Sequence, residues 1–187
     1  GMKPSRGNMV LLAVGSNTPG SFGPITETLR KLPLLLEAHG IGIAKASRLY
    51  TTNPVGTGLQ PHYFNAVLQI SSPHAPAVLL RHLKSIERQA GRRLGRHWGP
   101  RPLDLDIIAF GGRVVSWRTG RRRSPGALIL PHPEAHLRAF VLVPLCEVAP
   151  HWRHPVLGRT ARDLLKGLRI SRHSIQPVVD FPPGSWH

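Results

Sequence analysis

The segment Leu103-Asp104-Leu105-Asp106-Ile107-Ile108-Ala109-Phe110 decides how this chain is read. It reads as a strand, and residues two apart in a strand share a face. Asp104 and Asp106 therefore lie on one surface with their carboxylates roughly 6–7 Å apart. Leu103, Leu105 and Ile107 turn the other way, toward a core. Upstream, Pro76 opens a helix with Leu79, Leu83, Ile86 and Ala90 on one face, and Gly91 ends it. Before that helix, Phe64, Ala66, Leu68 and Ile70 alternate as in a half-buried strand, broken by Ser72-Pro73. Residues 52–61 form a Gly/Pro loop, and a strand is expected across residues 41–49. Ile25, Leu29, Leu32 and Leu36 recur at helical spacing up to Gly40, with Pro33 predicting a kink or restart. Residues 9–14 read as a buried strand ended by Gly15-Ser16-Asn17.

The resulting order, β-α-β-β-α-β, is that of an α+β ferredoxin-like split βαβ sandwich. A β-hairpin around Gly111-Gly112 is expected to extend the sheet through residues 114–117. Farther on, Pro133 is placed to start a short helix, and Thr160 with Asp163 resembles a capping box for another. One domain over residues 9–170 is expected, with 1–8 and 171–187 as irregular tails.

A chain of 187 residues with 41% hydrophobic and 18% charged residues suits one globular domain. No apolar run approaches the roughly 18–20 residues that span a bilayer. The first nine residues lack the apolar core of a secretory signal, so cytoplasmic residence is expected. Cys146 is the single cysteine, which excludes an intrachain disulfide and cysteine-rich zinc sites. The formal net charge of +16 predicts attraction to polyanions without choosing among them. Arg118, Arg121, Arg122 and Arg123 have no aromatic interleaving and read as a solvated loop.

Two acidic groups converging on one face repel each other unless a cation sits between them. Mg²⁺ suits such a pair, being a hard ion commonly held by one or two carboxylates plus substrate phosphates. The bland alternative is two surface aspartates paired with the abundant arginines. The flanking loop favours the first reading: Arg92, Arg93, Arg96 and Arg101 lead into the pair, and guanidinium groups match phosphate oxygens with paired hydrogen bonds. No G-x-x-x-x-G-K-[ST] sequence occurs, so a P-loop is excluded.

The run His97-Trp98-Gly99-Pro100-Arg101-Pro102-Leu103-Asp104-Leu105-Asp106-Ile107-Ile108 closely resembles the signature of hydroxymethyldihydropterin pyrophosphokinases, R-W-G-P-R-x-L-D-L-D-I. Three further matches follow in order. They are Gly15-Ser16-Asn17, then Pro61-x-Tyr63-x-Asn65-Ala66, then Pro131-His132 with Arg138-Ala139-Phe140-Val141-Leu142 downstream. The resemblance spans residues 10–168. It implies a magnesium-dependent transfer of diphosphate from ATP to the hydroxymethyl group of 6-hydroxymethyl-7,8-dihydropterin, in folate synthesis. The pterin oxygen would attack the β-phosphorus in line and AMP would leave, with positioning and charge neutralisation doing most of the catalysis.

The resemblance further implies that Asp104 and Asp106 hold two Mg²⁺ ions, and that Arg92 and Arg101 act with them on the phosphates. Trp98 belongs to a loop that seals the site, Glu87 orients the loop arginines, and Ile107, His132 and Arg138 join the ATP contacts. The pterin is assigned to Thr52, Asn53, Val55, Tyr63, Asn65 and Phe140. Tyr63 and Asn65 share a strand face, where a ring can stack on a heterocycle and an amide can pair with its edge. ATP and the pterin are the expected partners, with no nucleic acid or membrane and a monomeric chain. Leu94, His97 and Pro133 depart from the family pattern. Two rival readings are a basic nucleic-acid-binding module of the same plan and a catalytically degenerate family member. The first lacks the displayed strand aromatics such domains use, and the second conflicts with retention of both aspartates, Arg92, Arg101, Tyr63 and Asn65.

Overall fold

The structure is a computed structural model that describes residues 9–52, 63–92, 100–117, 126–169, 174–178, 181 and 186. The elements follow as β1 (Val10–Ser16), α1 (Ile25–Ala38), β2 (Gly42–Ala46), β3 (Tyr50–Thr52), β4 (Tyr63–Ser71), α2 (Pro76–Gln89) and β5 (Asp104–Phe110). A 3-10 turn η1 (Ala135–Leu137), α3 (Ala139–Val148), α4 (Ala161–Lys166) and β6 (Ile175–Pro177) complete the described chain. Six strands form one antiparallel sheet in the order β5-β1-β4-β3-β6, with β2 also pairing β4.

Both faces of the sheet are covered. Val10, Leu12 and Val14 of β1 and Leu105 and Ile107 of β5 join Leu29, Leu32 and Leu36 of α1 and Leu79, Leu83 and Ile86 of α2 in one core. Leu11, Val67, Ile108 and Ala109 face the opposite way and pack under α3 and α4. This explains the continuous apolar run of β1: a strand buried on both faces has no solvent side to alternate toward. It also corrects the expectation for β4. Val67 is fully buried, because α3 covers the face on which Tyr63 and Asn65 also lie.

Several local expectations differ from the outcome. Helix α1 runs unbroken through Pro33, held by Leu29, Leu32 and Leu36 against the sheet on either side of it. Where one strand was expected over residues 41–49, β2 occupies only 42–46, and a second short strand, β3, follows at 50–52. They are separated where Ser47 bonds Val67 through both backbone and hydroxyl. The hairpin expected after Gly111-Gly112 is, among the described residues, a single bridge between Val115 and Leu130. The supposedly irregular tail supplies β6, which pairs with β3, and places Phe181 and Trp186 in the first core. The capping box holds: Thr160 Oγ1 accepts from Asp163 N at 3.1 Å and starts α4.

One close approach aims the chain at the site. Gly91 ends α2 with φ +109°, open to glycine. Gly20 packs against this turn so tightly that a Cβ would lie 2.2 Å from the Ala90 carbonyl oxygen and 2.5 Å from Pro102 Cβ. The end of α2 and the entry to β5 are thereby held together. Among the described residues, no helix is long and apolar enough to cross a membrane.

Candidate active site

The sheet register sets three strands side by side at the site. Gly15 lies opposite Asp104 on β5 and opposite Asn65 on β4, and Ala13 lies opposite Asp106 and Val67. The middle strand carries almost no side chain there. A Cβ on Gly15 would sit 3.6 Å from Asn65 Oδ1 and 3.8 Å from Asp104 Cβ. This row is the floor of a cavity of about 440 Å³, in the range typical of small-molecule sites. Its walls include Thr52, Tyr63, Asn65, Arg101, Asp104, Asp106, His132, Arg138 and Phe140.

The acidic side is braced from behind. Glu87 of α2 is 1% exposed, and its Oε2 accepts from the Leu105 amide at 2.8 Å, between the two aspartates in sequence. The same oxygen accepts from Arg92 Nη1 at 2.7 Å, and that guanidinium nitrogen also donates to Asp104 Oδ1 at 2.6 Å. Arg101 Nη1 meets Asp104 Oδ2 at 3.4 Å. The Arg101 backbone is pinned at both ends to Asn17: its amide donates to Asn17 Oδ1 at 2.8 Å, and its carbonyl accepts from the Asn17 amide at 3.0 Å. Ser16 Oγ donates to the Pro102 carbonyl at 2.7 Å. The Gly15-Ser16-Asn17 motif thus acts as a clamp on the strand that follows Arg101.

Burial raises both central acids. Glu87 is pushed up to about 7 by desolvation, offset by the Leu105 amide and by Lys84 and Arg92 and reinforced by Asp104. Asp106 is pushed up to about 6 by desolvation and then by the Asp104 charge. On the opposite rim, His132 donates its backbone N–H to the Ile108 carbonyl at 2.8 Å, and its Nδ1 accepts from the Glu134 amide at 3.1 Å. Burial, then Arg138, lowers His132 to about 4, so its ring is neutral near pH 7. Arg138 pairs with Glu134 and lies 5.7 Å over the Phe140 ring. Asn65 Nδ2 donates to Thr52 Oγ1 at 3.3 Å.

Thr52, Tyr63, Asn65, Arg101, Asp104, Asp106, His132, Arg138 and Phe140 converge on the one cavity. Three of the residues expected at the ATP stand elsewhere. The Ile107 side chain is buried in the core under α2, and Ile108 takes the wall position instead. This is the period-2 rule applied to the neighbour of Asp106, and it corrects the assignment. Arg92 and Glu87 stand behind Asp104 rather than on the cavity wall. Asn53, Val55 and Trp98 lie outside the described residues, as do Leu94 and His97. The sequence reading missed Ala13, Ala135 and Val141 as lining residues. The alternation within β1 could have revealed Ala13, two residues before Gly15.

The pair Asp104 and Asp106 fits a hard divalent cation. Two carboxylates on one face, one of them raised by burial and then by the other's charge, are what such an ion relieves. Among the described residues no group of three His, Cys, Asp or Glu side chains is arranged as a metal cage. The protein would therefore leave most coordination positions to phosphate and water, as magnesium prefers. Carboxylates and guanidinium groups that share one cavity with aromatic and amide side chains suit a polyphosphate beside a flat heterocycle.

Comparisons with known proteins agree. The 7,8-dihydro-6-hydroxymethylpterin-pyrophosphokinase (HPPK) family model matches residues 11–150. A 2-amino-4-hydroxy-6-hydroxymethyldihydropteridine pyrophosphokinase of Synechocystis is 33% identical over 179 residues, covering 89% of this chain and 87% of that protein. The Mycobacterium bovis protein of the same name is 37% identical, covering 80% of this chain and 77% of that one. The crystal structure of Plasmodium falciparum HPPK-DHPS with pteroate superposes at a TM-score of 0.62 and 14% identity. It covers 86% of this chain, which spans 44% of that one. The chain belongs to the HPPK family.

Proposed function

We infer that this chain transfers the diphosphate of ATP to the hydroxymethyl oxygen of 6-hydroxymethyl-7,8-dihydropterin, releasing AMP, in folate biosynthesis. One observation carries the reading at the level of the site: Asp104, Asp106, Arg101 and Arg138 line one cavity together with Tyr63, Asn65 and Phe140. The new bond joins the pterin oxygen to the β-phosphorus, and the bond from that phosphorus to the oxygen bridging the α-phosphate breaks. The hydroxyl proton passes to solvent.

Arg101 and Arg138 bind and orient the phosphate chain from two sides, and a bound phosphate would draw Arg138 from its exposed pairing with Glu134. Neutral His132 offers a ring nitrogen without adding charge. Tyr63 and Phe140 enclose the pterin ring, while Asn65 and Thr52 meet its polar edge. Arg92 orients Asp104 and is itself oriented by Glu87. Two magnesium ions suit Asp104 and Asp106, and when bound they would neutralise phosphate oxygens and acidify the attacking hydroxyl.

The β5-β1-β4-β2 order, with α1 and α2 on one face, supports the ferredoxin-like reading. The sharing of one sheet by both cores supports residues 9–170 as one domain. The test is AMP release from ATP, magnesium and the hydroxymethyl dihydropterin. Folded protein that releases no AMP above background overturns the assignment.

A further inference from the structure

Behind the cavity, four rings pack together: Trp117, His136, Trp152 and His154. The His154 ring lies 5.0 Å from Trp117, 5.6 Å from Trp152 and 5.5 Å from His136. His154 is 1% exposed. Its Nδ1 accepts from the amides of Val156 at 3.2 Å and Leu157 at 3.0 Å, so the proton of the neutral ring resides on Nε2. That Nε2–H is buried without a hydrogen-bond partner among the described residues, and so is Nδ1 of His136. Buried polar groups are seldom left so, because each costs its full desolvation. Here one orphan is a donor and the other a nitrogen free to accept, on rings already in contact.

His136 sits in η1 between Ala135 and Arg138, two cavity-lining residues. The front of that segment is fixed by the His132 amide to Ile108. Its back rests on the ring cluster. His154 is itself a firm anchor: its amide donates to the Arg159 carbonyl at 2.9 Å, and its carbonyl accepts from Gly158 at 2.8 Å. We propose that His154 is a positioning residue for the phosphate side of the cavity. Its Nε2–H and Nδ1 of His136 act as donor and acceptor, directly or through one buried water, and so hold the turn that presents Arg138. The proposal rests on the reading of Arg138 as a phosphate ligand. It concerns a residue beyond the 11–150 stretch matched by the family model.

The test is calorimetric binding of ATP with magnesium, and separately of the pterin, to the full chain and its variants. His154→Asn keeps an acceptor at the Nδ1 position for Val156 and Leu157 but lacks the distant N–H. It should weaken ATP about five- to tenfold, the size of one lost hydrogen bond, and leave pterin affinity unchanged. His154→Gln returns an N–H near the Nε2 position and should restore ATP affinity, even if its melting temperature falls. His136→Phe should lose as much as His154→Asn, and the double variant should lose no more than either. Unchanged ATP affinity in His136→Phe overturns the proposal, whether or not the His154 variants fold. So does a pattern in which Asn binds ATP normally and Gln does not, which would assign His154 to its loop alone. Wild-type protein that binds no ATP would instead sink the functional reading of the cavity.

Discussion

Asp106 is held where an ionised carboxylate is disfavoured, and the metal role proposed for it asks for it ionised. Its acid is raised from 3.8 to about 6, so the folded state binds that proton more tightly than the unfolded chain does. The stability it contributes is complete below about 3.8 and lost as pH rises through about 6. Asp106→Asn should therefore melt no lower than the wild type at pH 8, while AMP release falls by about a hundredfold or more. Magnesium with ATP should raise the wild-type melting temperature and leave the variant's nearly unmoved. An equal rise in both would remove Asp106 from the metal site. Glu87, raised from 4.5 to about 7, has the same sign at a higher pH. Thermal unfolding followed from pH 5 to pH 8 should show the wild type losing stability. Glu87→Gln should flatten the part between pH 5 and 7, a group's titration range being set by its two pKa values.

At the scale of elements, the proposed pterin side depends on strands that could not stand alone. β3 has three residues, pairs with β4 on one side and β6 on the other, and delivers Thr52 to the cavity. Its other restraint is Glu147 of α3, which accepts from the Arg48 amide at 2.9 Å and from the Tyr50 hydroxyl. β6 in turn is tied down by Phe181 and Trp186, both 1% exposed. Trp186→Ala should cost about 3–5 kcal/mol of folding stability, read by chemical denaturation. The midpoint shift should be accompanied by faster exchange of the β3 amides. An unshifted midpoint would mean that the tail adds nothing to the fold. The two short strands β3 and β6 were hard to read from sequence for a plain reason. Three residues hold too few positions to show a period; β3 forms against β4, and β6 against β3 and the core.

For the molecule as a whole, the +16 charge is a field rather than a contact. Several kT of positive potential draws anionic substrates toward a cavity that itself contains cations, and salt screens it over roughly 8 Å at physiological ionic strength. Raising sodium chloride from about 50 to 500 mM should therefore raise the KM for ATP several-fold and change kcat little. A KM independent of salt would show that the surface charge serves something other than nucleotide capture.

Much of the plan was legible one residue at a time: the Asp104-Leu105-Asp106 alternation, the helix faces of Leu29-Leu32-Leu36 and Leu79-Leu83-Ile86, and the cap at Thr160. These are local rules of period and backbone chemistry, which hold wherever a segment sits. Tertiary structure alone decided that β4 is covered on both faces and that Gly15 and Ala13 clear the floor between acid and amide. It also decided that Glu87 reaches through to the Leu105 amide. Each of those depends on which strands become neighbours and in what register, and on which buried groups then lose their water. Strand pairings such as Gly15 with Asn65 and Asp104 join residues dozens of positions apart, and no local pattern carries them.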